Sequence, residues 1–160
     1  MKKPILILLT ICLFVLLTSC KSVSNWQQAE HTYSQLSFTV SYNYPYGCNA
    51  ISSDDDPSIC IYKDGIDDKL DWSISMSVVN MNSLEFEDYK GDAAKTASDL
   101  KQKDGIFSFI YKEPQERTIM LKYFECGKLL TLLPANDFNY DDAFEIAKTF
   151  EIDVWGEDIR

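Results

Sequence analysis

The sequence predicts an α+β domain: a mainly antiparallel sheet of about six or seven strands flanked by two helices, in the order βββαβββα. Three observations carry this. From Leu36 to Tyr44 apolar and polar residues alternate strictly, the period of a strand with one wet face. The same period returns between Trp72 and Val78. It then changes: Phe86, Tyr89, Ala93, Ala97 and Leu100 recur at helical spacings, and Ala143, Phe144, Ala147 and Phe150 do so again, which is the apolar stripe of a helix.

The elements follow in order. The first strand puts Leu36, Phe38, Val40, Tyr42 and Tyr44 on one face and ends at Pro45 and Gly47. A loop with Asp54-Asp55-Asp56-Pro57 follows. Ser58–Tyr62 reads as a short strand, Lys63–Lys69 as a turn around Asp64-Gly65, and Asp71–Met81 as a third strand with Trp72, Ile74, Met76 and Val78 inward. Ser83 can cap the first helix, which runs to a stop at Gly105. Gly91 weakens its centre by about 1 kcal/mol relative to Ala and offers a break, with Asp92 as a second cap. Strands resume at Ile106–Lys112, Arg117–Cys126 and Leu129–Leu133, with turns at Glu113–Glu116 and Gly127-Lys128. Asp141 can cap the second helix. Glu151–Trp155 can pair as a final edge strand.

The first residues stand apart from this pattern. Lys2 and Lys3 precede an apolar run from Pro4 to Leu17 broken only by Thr10. The run has the length of a signal-peptide core and is short for a bilayer span. Leu17-Thr18-Ser19-Cys20 resembles the lipobox of bacterial lipoproteins. That resemblance implies cleavage before Cys20, a diacylglyceryl thioether on its sulfur and acylation of its new amino group. It divides the chain into a signal at 1–19, a lipidated N-terminus and polar tether at 20–35, and one α+β domain at 36–160. A tether of about 15 residues reaches roughly 20 Å. It also places the protein in a bacterial cell envelope. Lys21, where enteric bacteria use aspartate to retain a lipoprotein in the inner membrane, points to the outer membrane.

Charge narrows the partners. The 160 residues carry a net charge of -10, and without residues 1–19, which hold two lysines and no acid, the balance falls to -12. This argues against nucleic acid, whose phosphates require Lys and Arg, and against a polybasic membrane surface. It suits a basic protein partner.

From Leu36 to Trp155 the chain resembles the PsbP-like fold, a sandwich found in chloroplast photosystem subunits and many bacterial lipoproteins. The matching residues are Tyr44-Pro45-Tyr46-Gly47, the hairpin Tyr123–Leu133 turning on Cys126-Gly127-Lys128, and the end of the acidic helix, Lys148-Thr149-Phe150-Glu151-Ile152. Cys48 stands where the family often has Trp. The resemblance implies the fold and non-catalytic docking to another protein; it transfers no site residue.

Few constellations carry chemistry. His31 is the only histidine and lies in the expected tether, which argues against a nucleophile–histidine–acid hydrolase and a histidine-dependent metalloprotease. Cys48, Cys60 and Cys126 form no C-x-x-C pair, so no zinc ribbon is expected. In an exported chain Cys48 and Cys60 flank one loop, and a disulfide closing it would stabilise by up to about 3 kcal/mol; the alternative is three buried small hydrophobes. The aspartates at 54–56 and 64–68 lack the EF-hand spacing and read as solvated loops, so no metal and no cofactor are expected. The leading expectation is a monomeric, lipid-anchored, non-catalytic module that binds or assembles with an envelope protein. Three other readings stay open: a small envelope hydrolase, a carrier of a small apolar ligand with Tyr42, Tyr44, Tyr46 and Tyr62 at its pocket, and a toxin-neutralising immunity lipoprotein.

Overall fold

The computed structural model describes residues 26–64, 70–112, 116–136 and 139–156. Ten strands and two α-helices occupy them: β1 Trp26–Tyr33, β2 Phe38–Pro45, β3 Asn49–Ser52, β4 Ser58–Asp64, β5 Leu70–Asn80, α1 Ser83–Thr96, β6 Ser98–Lys103, β7 Ile106–Tyr111, β8 Arg117–Phe124, β9 Lys128–Asn136, α2 Tyr140–Thr149 and β10 Glu151–Val154. A short 3-10 turn, Ser34–Leu36, joins β1 to β2. Every strand pair is antiparallel. Seven strands form one sheet in the order β3-β4-β5-β9-β8-β7-β6, and three form another in the order β1-β2-β10. The α+β class with two helices is as the sequence predicts.

Three layers bury the apolar residues. The small sheet and α2 pack on one face of the large sheet. Between them lies the main core, with Phe38, Val40 and Tyr42 of β2, Ile59 and Ile61 of β4, Ile74, Met76 and Val78 of β5, and Phe144 and Ala147 of α2. On the opposite face α1 covers only β7, β8 and the start of β9, through Phe86 and Ala93 against Phe107, Phe109, Leu121 and Leu129. Strand β7 is therefore buried on both sides. Its Ser108 hydroxyl meets the Tyr140 hydroxyl at 2.9 Å, which satisfies a buried polar group and ties the first turn of α2 to the sheet.

Several expectations need correction. Residues 26–35 are not tether. Trp26–Tyr33 pairs with β2 along its whole length, Trp26 opposite Pro45 and Tyr33 opposite Phe38. Its alternation was weak because Ala and His hold core-side positions that sequence patterning scores as neutral. The part of the expected tether before Trp26, with Cys20 and the signal, lies outside the described residues, as do the turn residues 65–69 and 113–115. Leu36 sits in the 3-10 turn, 45% exposed, so the strand begins at Phe38. β3 lies inside the expected acidic loop. The first helix ends at Thr96, and Gly91 does not break it. Ala97 and Leu100 fit the helical stripe, yet Ser98–Lys103 pairs with β7 around a bulge where Asp99 has φ 54°. Asp104 and Gly105 turn that hairpin with φ 50° and 76°, the two-residue turn with both φ positive that Asp-Gly favours. The caps are Asn82 and Asn139 rather than Ser83 and Asp141. Trp72 lies in β5, but its side chain is outside the description.

Candidate functional site

Because α1 covers only one end of the large sheet, the outer face of β3, β4, β5 and the far half of β9 is open. Register and alternation place Asn49 and Ile51 of β3, Ser58, Cys60 and Tyr62 of β4, Ser73, Ser75, Ser77 and Val79 of β5, and Thr131, Leu133 and Ala135 of β9 on it. None of these is charged, in a chain where a quarter of the residues are. Ile51 is 56% exposed and Val79 45%. At one end of the face a groove of about 430 Å³ runs between Ile51, Ser53, Ser58, Cys60 and Ser75. Asp54–Asp56 follow β3 in the chain, and α1 carries exposed Glu85, Glu87, Asp88 and Asp92, of which Glu87 pairs with Lys90 at 2.7 Å and Asp92 with Lys95 at 2.9 Å. A centre without charges matches the depletion of charged residues at the core of protein interfaces, and Ile51, Val79 and Leu133 are its exposed apolar side chains.

The predicted disulfide residues sit on and behind this face. Cys48 and Cys60 are free thiols, as is Cys126, so the expected Cys48–Cys60 bridge is not formed. The ladder shows why. Ile51 opposes Cys60 and Asn49 opposes Tyr62, which leaves Cys48 three steps from Cys60, roughly 10 Å along the strands. The two also point to opposite sides. Cys48 is buried in the main core, while Cys60 faces outward opposite Ser75. Burial pushes both thiols up, a side-chain hydrogen bond with Ser75 partly offsetting this at Cys60, so neither is an activated nucleophile.

A second cluster was invisible from the sequence. Placing His31 on β1 brings its Nδ1 within 2.8 Å of Ser52 Oγ on β3. Its Nε2, shielded from solvent, has no hydrogen-bond partner among the described residues and lies 3.7 Å from Asp54 Oδ1. Serine, histidine and carboxylate thus stand in the order of a hydrolase triad. Acyl transfer also needs donors at the developing oxyanion, and two amides near Ser52 are engaged elsewhere. Ser53 N–H donates to Ser58 O at 3.2 Å and Ser58 N–H to Asp56 O at 2.6 Å. The cluster instead stitches two strands of different sheets. Four residues along β1, Gln27 Nε2 donates to Cys48 O at 2.9 Å, so β1 and β3 run side by side joined by side chains. Next to His31, the Tyr33 ring packs edge-on at 4.5 Å, and burial, with the charges of Asp56 and Asp54, pushes its phenol up to about 12.

No group of three His, Cys, Asp or Glu side chains able to hold a metal occurs among the described residues. The four tyrosines of the expected ligand pocket do not all gather: Tyr42 and Tyr44 pack ring against ring at 5.9 Å at the main core, but Tyr46 is 76% exposed and Tyr62 is on the outer face.

No family model and no curated protein matches the chain. Among solved structures, a crystal structure of a protein from Bacteroides thetaiotaomicron VPI-5482 is similar, with a TM-score of 0.50 at 16% identity over 74% of this chain. The alignment takes in 46% of that protein, so the chain spans about half its length. The solution structure of cyanobacterial PsbP from Synechocystis sp. PCC 6803 is similar at a TM-score of 0.44 and 12% identity, over 85% of this chain and 96% of that one. At such identities likeness speaks to fold alone.

Proposed function

We propose that this chain is a lipoprotein of a bacterial cell envelope, anchored through lipid on Cys20 to the outer membrane, whose PsbP-like domain is a non-catalytic binding module for another envelope protein. The observation that carries the binding role is the uncharged open face of β3, β4, β5 and β9. Its aliphatic and hydroxyl side chains suit a flat apolar patch, and the chain's acidic balance suits a basic partner and steers the encounter. The leading signal and lipobox-like Leu17–Cys20 support the anchor. The occupied amides of Ser53 and Ser58 and the raised thiol of Cys60 weigh against hydrolase chemistry.

Native mass spectrometry of the protein purified from its own membranes tests this. A retained protein subunit is expected, and it should be lost from an Ile51→Lys/Ser75→Lys double variant, whose exposed changes leave the fold intact. A retained lipid in place of a protein supports a carrier. Turnover of cell-wall fragments by the purified domain, abolished by Ser52→Ala, overturns the binding reading.

A further inference from the structure

Resting on the lipid-anchor reading, we infer that the strand-end tip formed by Trp26, Tyr44 and Tyr46 lies against the headgroup region of the bilayer that holds the Cys20 lipid. Chain length is the first argument. Because β1 begins at Trp26, only residues 21–25 separate it from Cys20. Fully extended, that stretch spans at most about 20 Å. The domain therefore cannot swing freely, and the end where β1 starts is the end nearest the membrane.

What the fold places there is aromatic. Trp26 pairs with Pro45 and Gln27 with Tyr44. The chain then turns at Tyr46 and Gly47, with φ 86° at the glycine, and leaves Tyr46 76% exposed. Trp26 and Tyr44 are partly buried against the main core. Trp and Tyr rings, apolar in body and polar at one edge, favour the depth of lipid headgroups. Lys63, exposed beside Tyr62 near the same end, can hold its ammonium among headgroup phosphates. The charge of -12 left once residues 1–19 are removed makes this a contact of rings with zwitterionic lipid rather than one of charge. It is weak alone and effective because the anchor holds the tip in place. A domain without the lipid should remain in solution.

The opposite end supplies the control. Trp155 N–H donates to Ser37 O at 3.0 Å, just before β2, so the length of β2 sets Trp155 roughly 25 Å from the tip. Two single-tryptophan versions of the full-length lipidated chain would be reconstituted in phosphatidylcholine vesicles containing brominated acyl chains. One keeps Trp26, with Trp72→Phe and Trp155→Phe. The other keeps Trp155, with Trp26→Phe and Trp72→Phe. Trp26 is expected to lose most of its emission and Trp155 to keep most of its own. Tyr46→Asp, an exposed change that the fold tolerates, should restore much of the Trp26 signal. Equal quenching of the two, or an unquenched Trp26 in protein whose Cys20 lipid is confirmed by mass, overturns the inference and leaves the anchor standing. A chain with no lipid on Cys20 that fails to float with the vesicles overturns both.

Discussion

Lys122 holds the end of α2 against β8. Its Nζ donates to the carbonyl oxygens of Ala147 at 3.0 Å, Lys148 at 3.1 Å and Phe150 at 2.8 Å, at the helix end where carbonyls lack the amide donors of a next turn; that of Ala147 also accepts from Phe150 N–H at 3.4 Å. Lys122→Met keeps the aliphatic stem and removes all three donors. A loss of about 1–3 kcal/mol in urea unfolding is expected; an unchanged midpoint would show that water replaces the ammonium at no cost. Tyr33 gives a pH signature. Its phenol, raised from 10.0 to about 12 chiefly by burial, contributes stability that is present below pH 10 and lost as pH rises through about 12. Burial likewise raises Tyr42. Lys122, lowered by burial, has the opposite sign, since its native state releases the proton first. Tyr33→Phe gives up only a 3.4 Å hydrogen bond to Ser58 O, so at pH 7 the change should be within about 1 kcal/mol. Between pH 10 and 12 its melting temperature should fall less than that of the parent; parallel curves would reject the assignment. The cysteines add a count. With no bridge formed, Cys48, Cys60 and Cys126 should all react with a thiol reagent in denatured, unreduced protein. Reaction of Cys126 alone would restore the disulfide.

At the scale of elements, helix starts and hairpin turns are where local chemistry decides. Asn82 and Glu85 cap α1 reciprocally, the Asn82 side chain accepting from Glu85 N–H and the Glu85 carboxylate from Asn82 N–H, both at 2.9 Å. Asn82→Ala should cost about 1 kcal/mol and loosen α1, read as faster amide exchange in its first turn. Should exchange there stay unchanged, packing of Phe86 alone fixes the helix start. The β6–β7 hairpin turns on Asp104 and Gly105. Nothing lies within 4 Å of where a Gly105 Cβ would sit, so Gly105→Ala is penalised only by its φ of 76°, about 1 kcal/mol. A larger loss would mean that a neighbour unseen in this register is displaced.

For the whole molecule, the layers leave one sheet face bare by subtraction. α1 is long enough to cover one end of the large sheet, and the small sheet with α2 fills the other side. What remains is an uncharged face turned sideways from the end where β1 starts. On the function proposed above, an anchor at that end and a docking face on the flank would not compete for the same surface. Full-length protein should therefore enter the detergent phase in Triton X-114 partitioning with its partner still bound. Cys20→Ala should yield an uncleaved precursor. A variant with residues 1–20 replaced by a plain secretory signal should give a folded domain in the aqueous phase. If that domain sediments with membranes at high salt, the anchor is not what holds the protein there.

The sequence alone determined whatever depends on neighbours in the chain. Alternation fixed β2, β4 and β5 with the inward faces of Phe38, Val40, Ile74 and Met76. The helical stripe fixed α2, with Ala143, Phe144, Ala147 and Phe150 all buried. Tertiary structure decided the rest, because edge strands have one partner and need no strong pattern of their own. β1, β3 and β6 are such strands, and their sequences resemble a tether, a loop and the end of a helix. Sheet pairing then overrode the helical period that Ala97 and Leu100 continue. It set Cys48 and Cys60 on opposite faces although they flank one loop. It brought His31 beside Ser52, and it left bare the part of a sheet that α1 does not reach. Each of these is a contact between residues distant in the chain, formed only when separate strands are laid side by side.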